Sequence, residues 1–321
     1  MKQFGYAIAA DFAAAAEALS KAKNSVAKAG GTDLLDLLKE RIYEPDEMIH
    51  LGKAKNEVPA GELNALATLA DVAGDARIRR DFPALAEAAE VAATPQVRNW
   101  ATVGGNLCQH TRCWYFRNKD FTCFKRGDDD CSALKDGALN KYNAVFPTKE
   151  CGCAHPSNLS PALAALDARL RCVHPDGDRE LELLALYDIP KKGVTCNIHL
   201  RKGELIRSVV LNPTPLTRNS TYIEFRERES FDFAVASVAA ALEMDGDTVR
   251  DIRLVLGAVS AGPLRAVEAE KIVRGKRLDI DAVAKAALKG ATPLSQNAYK
   301  LHVTEALVRR ALTELHGRAG R

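Results

Sequence analysis

No run of about eighteen apolar residues occurs in the chain, so no membrane-spanning helix is predicted. An excess of one charge sign is also missing. Lys and Arg number 45 against 42 Asp and Glu, and the formal net charge is +3. That balance gives no electrostatic case for nucleic acid or for an anionic membrane surface. Aromatic residues are scarce, at 6%. No Ser-His-Asp set, HExxH, P-loop or GxGxxG fingerprint is present, so hydrolytic centres, zincin chemistry and a Rossmann dinucleotide site lose their usual signatures. Internal repeats and low-complexity tracts are absent. The start, "MKQFGYAIAADFAAAAEALSKAK", lacks the form of a signal peptide, because Asp11 and Glu17 break its alanine run and no cleavage site follows. A helix over residues 12–23 and a cytoplasmic location are expected. A periplasmic location would follow only from export with a signal-bearing partner.

What is present is a chain of 321 residues, long enough for two or three subdomains, with an ordinary hydrophobic share of 47%. A strand near Val26 to Ala29 feeds Gly30-Gly31, and a helix capped by Thr32 or Asp33 begins at once. A strand at "EMIHLG" follows. Helix is predicted from about Leu66, with breaks at Gly74 and Pro83. Strand-like character is read across "ATPQVRNWATVGGNLCQ". A short helix and two strands occupy "SPALAALDARLRCVHPDGDRELELLAL", and "GELIRSVVLNPTP" is a strand running into a proline-punctuated linker at 212–220. Beyond it, "STYIEFRERES", "DFAVASVAAALEM" and "TVRDIRLVLGAVS" read as an antiparallel sheet with three helices on one face, an α+β arrangement.

The first Gly-Gly turn points free backbone N–H groups and a helix start at one spot, which suits a pyrophosphate. "TVGGN" offers a second close-approach backbone, so two loops are placed to clamp one extended dinucleotide. Five of the eight cysteines crowd into "TRCWYFRNKDFTCFKRGDDDCSALKDGALNKYNAVFPTKECGCAHPSN", residues 111–158. Chain size and the missing signal argue against a disulfide framework. Cys113, Cys123, Cys131 and Cys151 are spaced C-x9-C-x7-C-x19-C. Four thiolates suit a [4Fe-4S] cluster. Zinc remains a rival, although the paired CxxC knuckles of structural zinc are missing, and a metal-free segment is the third reading. Trp114, Tyr115, Phe116, Phe121, Phe124, Tyr142 and Phe146 are expected to form a dry shell, and Lys119, Lys125, Arg126 and Lys149 to offset the charge of a thiolate-ligated centre. Cys153 is an alternative fourth ligand. Cys108, Cys172 and Cys196 are read as packing residues, the last two in strands, and His110 and His155 as hydrogen-bonding or surface residues.

"KAGGTDLLDLLK", "ATVGGNLCQ", "GELIRSVVLNP", "SFDFAVASVAAALE" and "GAVSAGPLRAVEAE", in this order, resemble the FAD-binding subunit of the xanthine dehydrogenase/molybdenum hydroxylase family over essentially the whole chain. The resemblance implies a two-part FAD-binding domain of the vanillyl-alcohol-oxidase (PCMH) type at 1–211, the linker at 212–220, and a C-terminal antiparallel sheet with helices at 221–321. It implies that Lys28, Ala29, Gly30, Gly31, Thr32, Asp33, Leu34 and Leu35 wrap the FAD pyrophosphate and that Thr102, Gly104, Gly105 and Asn106 line a second FAD loop. Ile206 falls where an apolar residue touches the flavin region. Two positions depart from the family's pattern. Asn158 stands where an aspartate is usual. Glu224 stands where many relatives have a lysine, although next to Arg226 and Arg228 it reads as a solvated strand charge.

A subset of these subunits, resembling those of aldehyde oxidoreductase and 4-hydroxybenzoyl-CoA reductase, carries an extra [4Fe-4S] loop. Here it would be residues 108–158, with Cys113, Cys123, Cys131 and Cys151 as ligands, the last chosen because it lies seven residues before Asn158. The implied partners are a small [2Fe-2S] subunit and a large molybdenum-cofactor subunit, with electrons leaving through FAD to an external acceptor. A reductase-like role, a stand-alone flavin oxidoreductase and a zinc-binding docking protein are the alternatives.

Overall fold

The structure is a computed structural model that describes residues 1–52 and 59–319; the last two residues of the expected C-terminal domain lie outside the described residues. The chain opens with β1 (Gly5–Ile8), the helix Phe12–Lys21, β2 (Ser25–Lys28), the helix Leu34–Lys39 and β3 (Glu47–His50). β3 is central and pairs in parallel with both neighbours. Asp11, which interrupts the alanine run, caps the first helix by accepting the Ala14 N–H at 2.8 Å. β1 escaped the sequence reading because all four of its residues are exposed, which leaves no buried alternation to read.

After β4 (Leu63–Asn64), the helices Leu69–Gly74, Ala76–Asp81 and Pro83–Val91 break where Gly74 and Pro83 predict. The strand expected over residues 93–109 does not form. Pro95–Arg98 and Val103–Leu107 are helical turns instead, capped by Thr94 and Thr102. Alternation over so short a stretch gave way to two threonine caps.

The helix Leu159–Ala165 is buried at every residue. It precedes β5 (Arg169–Val173), β6 (Arg179–Glu182) and β7 (Leu205–Val210), which with β4 form an antiparallel sheet in the order β4-β7-β5-β6. The region expected as a linker contains a turn of helix, Pro215–Arg218, capped by Thr214. The last sheet comprises β8 (Ser220–Phe225), β9 (Ala236–Asp245), β10 (Thr248–Gly257) and β11 (Leu264–Arg265), in the order β11-β10-β9-β8. Helices Val267–Val273, Ile280–Ala286 and Tyr299–Ala319 cover one face, where Val238, Ala240, Leu242, Leu254 and Leu256 are buried. Tyr222, Ala239 and Val255 on the opposite face join the core of the first 211 residues. With both faces covered, β9 is buried throughout its first seven residues, and alanines let the helices approach closely.

One buried carboxylate fixes the approach to β7. The Glu204 side chain has no solvent exposure. It accepts hydrogen bonds from Arg179 Nε and Nη2 at 2.7 Å each, from the Arg201 amide at 2.9 Å and from the Arg201 guanidinium. Burial alone would raise its pKa. The hydrogen bonds from Arg179 and Arg201 outweigh burial and push the carboxyl down to about 2. Glu204→Gln should therefore destabilise the protein by about 2 kcal/mol in denaturant unfolding at neutral pH. The difference from wild type should shrink as pH falls from the ordinary carboxylate range through about 2, because the wild-type carboxylate is then itself protonated.

Candidate cofactor site

β2 delivers the chain at Lys28 to a loop whose amides at Gly30, Gly31 and Thr32 meet no acceptor among the described residues. Gly31 is left-handed, with φ +79°. A Cβ on Gly30 would lie 1.8 Å from the Trp100 carbonyl oxygen, so only glycine lets this loop reach the stretch that leads into the second one. Lys28 and Ala29 lie half-buried at the end of the strand, and Leu34 and Leu35 open the next helix, Leu35 with its side chain exposed. The cap expected from Thr32 or Asp33 is not made: Asp33 occupies the cap position without a side-chain cap bond.

The second loop has its amides occupied. Gly104 N–H donates to Ala65 O at 2.8 Å, Gly105 N–H to Thr102 Oγ1 at 3.2 Å and Asn106 N–H to Thr102 O at 2.8 Å. Asn106 Oδ1 accepts from Ser157 Oγ at 2.6 Å and from the Leu159 amide at 3.2 Å, which sets Asn158 beside this loop. Asn158 Nδ2 in turn donates to Glu224 Oε2 at 2.7 Å. Glu224 is not a solvated strand charge. Its side chain is 4% exposed, lies 3.1 Å from Arg226 Nε, and accepts the Tyr222 hydroxyl at 2.7 Å. Burial raises its pKa against the opposing pull of Tyr222, Arg226 and Asn158. The two positions that depart from the family's pattern thus touch each other. Ile206 is buried in β7, one residue before the Arg207 carbonyl that holds Ala65 beneath the second loop.

Asp33 ties the first loop to the cysteine segment. Its carboxylate accepts Arg117 Nη2 at 2.7 Å and the His110 amide at 2.8 Å, and pairs with Arg112 Nη2 at 3.0 Å. His110 Nδ1 lies 3.2 Å away, and His110 Nε2 shares a 2.6 Å hydrogen bond with the Tyr43 hydroxyl. Burial raises the Asp33 pKa, but His110, Arg117 and Arg112 together hold it well below the usual carboxylate range. Arg112 and Arg117 had no signal in sequence, because their partner lies 84 residues from Arg117.

Within the segment, the Cys151 thiol is in hydrogen-bonding reach of both Cys131 and Cys153. The turns at Cys131 and Cys123 are tight: the Leu134 amide donates to the Cys131 carbonyl at 3.0 Å and the Arg126 amide to the Cys123 carbonyl at 2.9 Å. Cys113 packs with Cys123, Phe116 and Leu37 on one side and near Cys131 on the other, and its sulfur accepts Asn143 Nδ2 at 3.5 Å. Cys153 receives Asn197 Nδ2 at 3.7 Å. Among the described residues, no three His, Cys, Asp or Glu side chains are set to hold a single metal ion. The aromatic shell is only partly dry. Tyr115 and Phe116 are buried, while Trp114, Phe121 and Tyr142 are exposed. Of the expected counter-charges, Lys119 and Lys149 are exposed. Arg126 clamps the carbonyls of Tyr115, Phe116 and Asn118, and Lys125 alone is buried, 5.3 Å from the Phe116 ring. Cys172 is buried in β5, Cys196 lies in a loop against the Cys108 carbonyl, and His155 is buried edge-on to Tyr187 with Nε2 unpartnered. A cavity of about 440 Å³ opens between the segment and the last sheet, lined by Arg112, Cys113, Trp114, Tyr142, Phe233 and Val235 among others.

Residues 2–214 match the profile of the FAD binding domain in molybdopterin dehydrogenase, and residues 220–315 match the CO dehydrogenase flavoprotein C-terminal domain. The chain belongs to the FAD-binding medium subunits of the molybdenum hydroxylases. Among relatives of this medium subunit, the aldehyde oxidoreductase FAD-binding subunit PaoB of Escherichia coli (strain K12) is 35% identical, over 99% of this chain and 100% of that one. The glyceraldehyde dehydrogenase medium chain of Sulfolobus acidocaldarius is 24% identical, with 98% of each chain covered. The fold matches a chain of the solved carbon monoxide dehydrogenase from Hydrogenophaga pseudoflava, with a TM-score of 0.76 at 20% identity over 98% of each chain. Known members with these features are oxidoreductase subunits, and this medium subunit is one of them. No helix among the described residues is long and apolar enough to cross a membrane. Because the Gly30 Cβ position is already filled by Trp100, Gly30→Ala should force the two loops apart and weaken FAD binding by about tenfold or more, measured by flavin fluorescence titration.

Proposed function

We propose that the chain is the flavin and iron–sulfur electron-transfer subunit of a three-part molybdenum hydroxylase of the aldehyde or xanthine dehydrogenase type. A large molybdenum-cofactor subunit would oxidise the organic substrate, and a small [2Fe-2S] subunit would pass the electrons here for delivery to an external acceptor. Lys28 to Leu35 would hold the FAD pyrophosphate, with the unpaired amides of Gly30, Gly31 and Thr32 as its donors. Thr102, Gly104, Gly105 and Asn106 would shape the other wall. Asn158, Ile206 and Glu224 would stand toward the flavin.

Cys113, Cys123, Cys131 and Cys151 would hold a [4Fe-4S] cluster. The observation that carries this reading is that these cysteines, from separate stretches of one segment, share neighbours: Cys113 and Cys123 pack with Leu37 and Phe116, Cys113 and Cys131 pack against Tyr115 and Ala133, and Cys151 beside Cys131 lowers its thiol pKa. When bound, the flavin and the cluster supply the capacity to accept and release electrons. The chain's own residues position these groups, exclude water from Cys123 and Cys151, and set the charge around them.

Anaerobically purified protein should contain about one FAD and four iron atoms per chain, with little zinc, by metal analysis and visible spectroscopy. Serine at Cys113, Cys123, Cys131 or Cys151 should strip most of the iron and leave FAD in place, whereas Cys153→Ser should keep both. Iron-free wild-type protein, or zinc in place of iron, would defeat the cluster reading. Iron lost from Cys153→Ser but kept in Cys151→Ser would reassign the fourth ligand.

A further inference from the structure

Lys300, the second residue of the helix Tyr299–Ala319, is completely buried and has no ion-pair partner among the described residues. Its ammonium instead donates to three backbone carbonyls: Ala258 at 2.8 Å, Asn143 at 3.0 Å and Tyr142 at 3.3 Å. Those bonds use all three donors of a lysine. Neutral carbonyls orient a charge but do not cancel it, and a buried cation without an anion is expensive. Burial pushes the Lys300 pKa down to about 7.

Two of the three carbonyls that Lys300 holds, those of Tyr142 and Asn143, belong to the cysteine segment, and the third, Ala258, follows β10. Around it, the stretch 292–300 grips residues 140–145 repeatedly. Asn297 Nδ2 donates to the carbonyls of Asn143 and Ala144, the Thr292 amide to Val145 O, and the Gln296 amide to Asn140 Oδ1. From Asn143 the contacts pass directly to the thiols. Asn143 Nδ2 donates to Cys113 Sγ at 3.5 Å and to Gly152 O at 3.0 Å. Gly152 stands between Cys151 and Cys153. Lys300 therefore holds the residue that joins Cys113 to the stretch carrying Cys151, two of the four expected ligands.

We propose that Lys300 is a positioning residue for the cysteine site, holding Asn143 and through it Cys113 and Gly152, and that its ammonium is the counter-charge the C-terminal domain supplies to the anionic centre bound there. This rests on the cluster reading above. A centre ligated by four thiolates becomes more negative on reduction, so protonated Lys300 favours the reduced form and raises the potential, and the anionic centre in turn favours protonated Lys300 against the burial that lowers its pKa.

Lys300→Met in the full chain tests this, since it keeps the length of the side chain and removes the charge. Iron and FAD per chain, thermal unfolding and an EPR-monitored redox titration are compared with wild type. The expected result is an iron signal that titrates at lower potential than in wild type, with FAD content unchanged. Loss of iron with FAD and the unfolding temperature retained also supports the proposal, because it separates the thiol site from the fold. Retained iron at an unchanged potential would overturn it. So would a joint loss of iron, FAD and thermal stability, which would make Lys300 a residue of the general core. Iron-free wild-type protein would instead defeat the cluster reading itself, a result distinct from failure at Lys300.

Discussion

The Asp33 carboxylate is the joint between the first glycine loop and the cysteine segment. It lies at the end of the glycine loop, and the cysteine segment brings it two guanidinium groups and a histidine. Burying such a group is tolerable only because its partners are present at hydrogen-bonding distance. The local alternative, capping the helix Leu34–Lys39, is given up for them. In consequence the glycine loop cannot shift without moving Arg112 and Arg117, and Cys113 sits next to Arg112 in the chain. The first glycine loop and the cysteine segment are tied to one shared anion.

A second constraint runs along the other wall. Asn106 accepts from Ser157, whose chain neighbour Asn158 donates to Glu224, so the second glycine loop is joined to β8. This connection keeps one negative charge, on Glu224, and places it among Tyr222, Asn158 and Arg226. An asparagine and a glutamate at the two positions expected to hold an aspartate and a lysine keep a donor-to-acceptor contact, with the donor on Asn158 and the single acidic group on Glu224. This mutual fit explains how two departures coexist in one chain.

Much of the fold was legible in sequence because it is written in local rules. Gly74 and Pro83 punctuate helices, short turns separate the antiparallel strands β8 to β10, and the first Gly-Gly turn sits where a strand gives way to a helix. The failures share a physical cause. Threonine caps turned residues 93–109 helical, and exposed β1 carries no buried face. Of the site, the glycine loops and the cysteine cluster stood out by residue type and spacing. Glu224 was misread because neighbouring arginines suggest solvent, whereas its burial comes from Asn158, 66 residues away. Lys300 left no trace at all, since its partners are backbone carbonyls, up to 158 residues distant, whose identity no side chain announces.

The grip of residues 292–300 on residues 140–145 has a bearing on biogenesis. The thiol-bearing segment is made before the stretch whose contacts fix Asn140, Asn143 and Val145. Until that stretch has emerged, the cysteines lack the frame that holds them in register. A chain truncated before residue 292 would be made without that frame.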